Sequence, residues 1–105
     1  NDFDYTQVFA RQVDALVTSD DLLIAFSTSG ASPNVLEAVR AGRKKQATTV
    51  GFTGNSGGQL RELVDVAVEV PTRDTQRIQE AHLLLWHIIC ELVDNAIAEE
   101  NSEVN

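Results

Sequence analysis

An α/β fold with a parallel sheet and helices on both of its sides is predicted by three observations. Short apolar runs near residues 22–26, 48–53 and 65–70 have the length and turn-bounded character of buried strands. Segments of helical periodicity lie between them, and strands joined by single helices at this spacing build parallel βαβ units with right-handed crossovers. At 105 residues the chain is one domain at most, and a core of that size gives only marginal stability unless it oligomerises.

The elements follow in order. Tyr5, Phe9, Val13 and Leu16 recur at i, i+4, i+8 and i+11, the stripe of an amphipathic helix. That helix follows directly on Asn1 and Asp2, with no Met, so the chain reads as starting in the middle of a fold. After Ser19-Asp20-Asp21, the run Leu22-Leu23-Ile24-Ala25-Phe26 is continuous rather than alternating, as expected of a strand covered on both faces. Ser32 followed by Pro33 is an N-cap and a first-turn proline. They open a helix with Val35, Leu36 and Val39 on one face and Arg40, Arg43, Lys44 and Lys45 towards solvent.

Thr48 to Thr53 gives the second strand, ended by the turn Gly54-Asn55-Ser56-Gly57-Gly58 and a short helix around Gln59 to Leu63. Asp65 to Val70 is the third strand, stopped by Pro71. From about Gln76 to Glu99 runs the longest helical signal, with Asp74 or Thr75 as cap. Ile78, Leu85, Ile89, Leu92 and Ala96 line one side, while Leu84, Trp86, Ile88 and Val93 make it apolar nearly all round. A helix of that kind must be covered on more than one face, and the chain has too few elements to do so alone, which predicts contact between subunits. Residues 101–105 read as a frayed tail.

Composition excludes some functions. Sixteen acidic residues against eight basic ones give a formal net charge of -8, which repels a phosphate backbone, so nucleic acid is not expected as a ligand. With 43% hydrophobic and 23% charged residues the balance is globular; no apolar run looks long enough to span a bilayer, and a soluble chain is expected. The single cysteine, Cys90, lies inside a helical pattern without a secretory signal upstream, which fits a structural thiol in a reducing cytoplasm.

The segment richest in chemistry is Ser27-Thr28-Ser29-Gly30-Ala31-Ser32, between a buried strand and a helix start. Four hydroxyls and the free amides of a first helical turn converge there, and helix N-terminal amides favour a phosphate. The position is also where open α/β sheets bind ligands, outside the carboxyl ends of their strands. The plainer alternative is a serine-rich turn that only caps a helix.

A hydrophobic strand running into Ser-Thr-Ser-Gly-x-Ser resembles the phosphate loop of the sugar isomerase (SIS) domain, a Rossmann-like or flavodoxin-like three-layer α/β sandwich. Asn1-Asp2-Phe3, the Thr53-Gly54 to Gly57-Gly58 segment and Arg77-Ile78-Gln79-Glu80-Ala81-His82 followed by His87 are similar to the phosphoheptose isomerases of that family. Together these motifs cover nearly the whole chain, so residues 1–105 are expected to be the C-terminal portion of a single SIS domain. Members also carry an N-terminal half whose His and Glu complete the metal and catalytic site, and that half is expected to precede Asn1. Gln76 departs from the family in a small way, standing where a small acidic or neutral residue is expected.

The resemblance implies a set of roles. Ser27, Thr28, Ser29 and Ser32 would hold the substrate phosphate, and Asn1 and Asp2 would contact the sugar chain. Gln79 and His87 would touch substrate or a divalent metal, zinc by the family's habit, with His87 also the proton-transfer residue. The reaction implied is the interconversion of sedoheptulose 7-phosphate and D-glycero-D-manno-heptose 7-phosphate, supplying heptose for lipopolysaccharide core or other cell-surface glycans. A cytoplasmic homo-oligomer, a tetramer, is implied as the working form.

Helix geometry adds a constraint of its own. Gln79 and His87 are eight residues apart, so at ~1.5 Å rise per residue they lie about 12 Å apart along the axis. Ligands of one metal must converge, since metal–nitrogen distances are about 2 Å. If both residues serve one site, they should come from different subunits. His87 could instead be a core histidine bonded to backbone. His82, at i+3 from Gln79, reads as structural, with orientation of that amide as its other possible role. Two readings compete with an isomerase: a non-catalytic SIS regulator that senses a sugar phosphate or binds a replication initiator, and a fragment that folds poorly because its sheet edge is unpaired.

Overall fold

The computed structural model describes residues 5–104. After a 3-10 turn at Tyr5–Gln7 come α1 (Val8–Leu16), β1 (Leu22–Phe26), α2 (Pro33–Lys44), β2 (Thr48–Thr53), α3 (Gly58–Leu63), β3 (Val66–Glu69) and α4 (Thr75–Val104). The three strands form one parallel sheet in the order β1-β2-β3, so the expected α/β class and its βαβ connections hold.

Strand alternation sorts the apolar residues into two layers. Ala25 of β1 and the glycine at position 51 of β2 face α2 and α3, where Ala25, Leu36, Val39 and Leu60 form the core with Val35, Leu63 and Val64 around them. Gly51 leaves the room this needs, since a Cβ there would press on Leu60 and Val64. On the opposite face the register sets Ile24 beside Val50 and Val66, and Phe26 beside Phe52 and Val68. The Phe26 and Phe52 rings stack at 4.8 Å, and α4 crosses this end of the sheet with Ile78 and His82 buried. Helices on both sides of the sheet make the three-layer sandwich.

Four expectations change. Leu22 of β1 and Val66 of β3 are half exposed, so the sheet face opposite α2 is bare at its amino end, because among the described residues α4 packs over the carboxyl end only, at Phe26 and Phe52. The third strand is shorter than its pattern, although Asp65 and Val70 still donate backbone hydrogen bonds to Thr49 and Thr53; strand ends defined by ladder geometry shift by a residue or so. The tail is helical through Val104 because residues 95–104 contain no breaker and include good helix formers such as Ala96, Ala98, Glu99 and Glu100. Finally, α4 is long and apolar enough to cross a membrane by length and composition, with 6% of its most apolar stretch buried. Glu91 and Asp94 interrupt the run and hide this from a simple count of consecutive apolar residues.

The start of α4 is fixed by Asp74, whose carboxylate accepts from the N–H of Gln76 at 3.0 Å and whose carbonyl accepts from Ile78. Beyond Trp86 the helix leaves the body, and Ile88, Leu92, Val93 and Ile97 stand exposed. This bare length is the part of the helix that the single chain leaves uncovered.

At the other end of the sheet Asp65 ties β3 to β2. Its carboxylate accepts from the Thr49 N–H at 2.8 Å and the Thr49 hydroxyl at 3.1 Å, with the Arg43 guanidinium at 3.3 Å. These contacts, the Thr49 N–H foremost, hold the Asp65 carboxyl below the usual carboxylate range.

Candidate functional site

The loop between β1 and α2 starts in register, since the Ser27 N–H still donates to the Phe52 carbonyl at 3.0 Å. It then turns on Gly30, whose φ of +68° is a conformation that L side chains rarely adopt. The Gly30 N–H donates to both the carbonyl and the hydroxyl of Ser27, each at 3.1 Å, and the Ser27 and Ser32 hydroxyls lie 2.9 Å apart.

A second loop, after β2, clamps the first from outside. Gly54 N–H donates to the Thr28 carbonyl at 3.1 Å, Leu60 N–H to the Gly30 carbonyl at 2.9 Å, and the Ser56 hydroxyl to the Ser29 carbonyl at 3.3 Å. The serine-rich loop is therefore fixed from outside by its neighbour and from within by the Ser27 and Ser29 hydroxyls, which accept from Gly30 and Ala31.

Ser32 occupies the N-cap position of α2 with Pro33 after it, as expected, but its side chain makes no capping hydrogen bond. Its hydroxyl turns to Ser27. The reading of the loop as a mere cap therefore loses its main support, because the residue placed to cap does not.

Between this loop and α4 lies an open cleft of about 580 Å³. The loop contributes Ser27, Thr28 and Ser32; α4 contributes Gln79, Leu83 and Trp86, with Phe26 and His82 completing the wall. Hydroxyls, a carboxamide and an apolar wall on one cleft suit a ligand that is anionic at one end and partly hydrocarbon along its length.

Each expected site residue has a definite place, apart from Asn1 and Asp2, which lie outside the described residues. Ser27, Thr28, Ser32 and Gln79 share the cleft. Ser29 is exposed, accepts from the Ala31 N–H at 3.1 Å, and lines a second cleft of about 480 Å³ with Asn55, Ser56 and Arg73. His87 is exposed and does not line the first cleft, so it is no core histidine within this chain and does not meet Gln79 there.

His82 is 6% exposed, with Nε2 3.0 Å from the Thr53 carbonyl, which requires that nitrogen to carry the proton. Phe26 and Phe52 flank its ring with centroids at 5.6 and 5.9 Å. This is the structural role expected of it: it pins α4 to the end of β2 and so places Gln79 over the loop.

Zinc does not fit one chain by itself. Among the described residues no group of three His, Cys, Asp or Glu side chains comes together, so a metal would need donors from another copy or from outside these residues.

Sequence reasoning missed Leu83 and Trp86 as cleft residues. The signal was present: positions 79, 82, 83 and 86 follow i, i+3, i+4 and i+7, one face of a helix, and Gln79 already marked that face.

Known proteins share this fold. The profile of the SIS domain matches residues 1–54, over half of the chain. Phosphoheptose isomerase from Burkholderia pseudomallei is 55% identical over 97 residues, covering 92% of this chain and 49% of that protein. The phosphoheptose isomerase of Aliarcobacter butzleri is 48% identical over 98 residues, covering 93% and 52%. Among solved structures, phosphoheptose isomerase from Neisseria gonorrhoeae superimposes with a TM-score of 0.84 at 41% identity, covering 89% of this chain and 53% of that one. The Francisella tularensis phosphoheptose isomerase gives 0.82 at 37% identity, covering 87% and 51%. The chain thus spans about half the length of the curated relatives it matches. From strand, loop and helix start to the profile that spans them, the chain belongs to the SIS domain family.

Proposed function

We propose that this chain is the phosphate-gripping, subunit-pairing portion of a phosphoheptose isomerase, interconverting sedoheptulose 7-phosphate and D-glycero-D-manno-heptose 7-phosphate. The observation that carries the reading is the convergence of Ser27, Thr28, Ser32 and Gln79 on one cleft at the start of α2. The choice of substrate is supported by relatives of that name at 55% and 48% identity.

In this reading the loop hydroxyls and the α2 N-terminus bind the phosphate, far from the reacting carbons, and that binding energy positions them. Gln79 orients the sugar oxygens. A base takes the proton next to the carbonyl, an enediol forms, and the proton returns to the neighbouring carbon. An imidazole can do both near neutral pH, and His87 does so in the cleft of another copy, since it stands outside its own. A divalent ion such as zinc, when bound, would polarise the substrate oxygens; His87 and Gln79 would contribute to it from different subunits.

The bare apolar length of α4 supports a homo-oligomer, a tetramer on this reading. Cys90 as a free thiol fits a cytoplasmic protein.

Calorimetric titration with inorganic phosphate and with sedoheptulose 7-phosphate tests the site. Ser32→Ala is expected to weaken both by about tenfold, the size of one hydrogen bond to a charged group. Unchanged affinity for both would remove the cleft as the phosphate site.

One observation favours a second reading. His87 stands outside the cleft of its own chain, which is what a non-catalytic sugar-phosphate sensor would also show. Binding without turnover would select it.

A further inference from the structure

Trp86 is the only tryptophan in the chain, and nothing in the phosphate grip or the proton transfer uses it. It lies on the stripe that begins at Gln79, two turns along α4, so its side chain projects towards the same cleft. The indole meets Phe26 edge-on, with centroids 6.0 Å apart and planes at 86°. Phe26 in turn stacks on Phe52 at 4.8 Å and 11°. This series of rings runs from the middle of the sheet to the cleft wall, and it fixes the indole from behind.

The indole is nevertheless 40% exposed. At 100° per residue, Leu84 and Ile88 project about 160° away from Trp86 around α4, whereas the bare residues Val93 and Ile97 continue its own face beyond the cleft. On the cleft side its surface joins Gln79, Leu83 and the loop hydroxyls as wall. Phe26, whose ring it meets, immediately precedes Ser27, so the aromatic wall and the phosphate grip are neighbours in the chain as well as in space.

We propose that Trp86 is the platform for the carbon chain of the phosphorylated sugar and sets the site's preference for long chains over short ones. The proposal rests on the reading of the cleft as a sugar-phosphate site. A phosphate held by Ser27, Thr28 and Ser32 leaves the rest of the ligand to cross the cleft towards Gln79, over the indole. The C–H bonds of a polyol carry partial positive charge and meet the negative π face, while the ring covers apolar surface on both partners. Inorganic phosphate is too short to reach the ring. A phosphorylated polyol of several carbons reaches it.

Because Trp86 is the sole tryptophan, its emission reports the cleft directly. Sedoheptulose 7-phosphate should shift that emission to shorter wavelength in a saturable way, whereas inorganic phosphate, shown to bind by calorimetry, should leave it unchanged. Trp86→Ala should weaken sedoheptulose 7-phosphate about tenfold, the scale of one aromatic contact, with inorganic phosphate affinity kept, and Trp86→Phe should restore most of the loss. Emission that ignores bound sugar phosphate, as when a second copy already covers the ring, overturns the proposal. So does a Trp86→Ala variant that loses both ligands equally or neither. Failure of the wild type to bind either ligand would instead remove the sugar-phosphate reading itself, and this proposal with it.

Discussion

Gly58 lies against Gly30 so closely that a Cβ on Gly58 would overlap the Gly30 carbonyl, and one on Gly30 would overlap the carbonyl of Gly57. Both glycines have positive φ, +55° and +68°. The contact joins the loop after β2 to the loop after β1, and the hydrogen bond from Leu60 N–H to Gly30 O seals it at 2.9 Å.

Gly30→Ala should therefore damage both stability and binding. The left-handed conformation costs about 1–2 kcal/mol for an L residue, and the overlap with backbone adds to it because no side chain can swing aside. Thermal unfolding should show a loss of about 2 kcal/mol or more, and phosphate affinity should fall with it. A variant as stable as wild type would mean that the two loops are not clamped in this way.

Asp65 predicts a pH dependence at the opposite end of the sheet. Its folded-state carboxyl is held below its ordinary value by Thr49 and Arg43, so its contribution is present in full above the unfolded value of about 3.9 and is lost as pH falls through the folded one. Asp65→Ala should melt at lower temperature than wild type at pH 7, and the gap should close as the solution is acidified below about pH 4. A gap independent of pH would assign the effect to packing rather than to the ionised carboxylate.

The bare face of α4 predicts self-association. Leu84, Leu92 and Ile97 are 61%, 63% and 51% exposed in the single chain, more apolar surface than one helix ordinarily shows to water. Sedimentation should give an oligomer, and Leu84→Glu with Leu92→Glu should shift it towards monomer. Partition of the wild type into lipid vesicles, with a monomer in solution, would contradict a subunit interface and favour the membrane that the helix's length and composition also allow.

How far the sequence led is visible at particular residues. All three strands, their parallel sense and the loop Ser27–Ser32 were legible because apolar runs, punctuating glycines and Ser32-Pro33 are local signals. The fate of the Ser32 hydroxyl was not, since its partner Ser27 is chosen by how the loop folds back. Ser29 was grouped with the other hydroxyls by adjacency, yet successive loop residues need not face the same way, and it lines the neighbouring cleft. Trp86 was counted among apolar positions awaiting cover; only the packing of Phe26 and His82 shows that its stripe turns to the cleft. The bare start of β1 at Leu22 was hidden for a related reason: a continuous apolar run tells that a strand has cover on both faces, not which element supplies it at each residue.

The most direct measurement is conversion of sedoheptulose 7-phosphate to the aldose by the full-length protein, wild type and His87→Ala, with binding read separately by calorimetry. An isomerase whose proton moves through His87 turns over in the wild type, whereas His87→Ala binds the sugar phosphate with little change in affinity and loses turnover by at least about a hundredfold. Binding without turnover in the wild type, or full activity in His87→Ala, would contradict it.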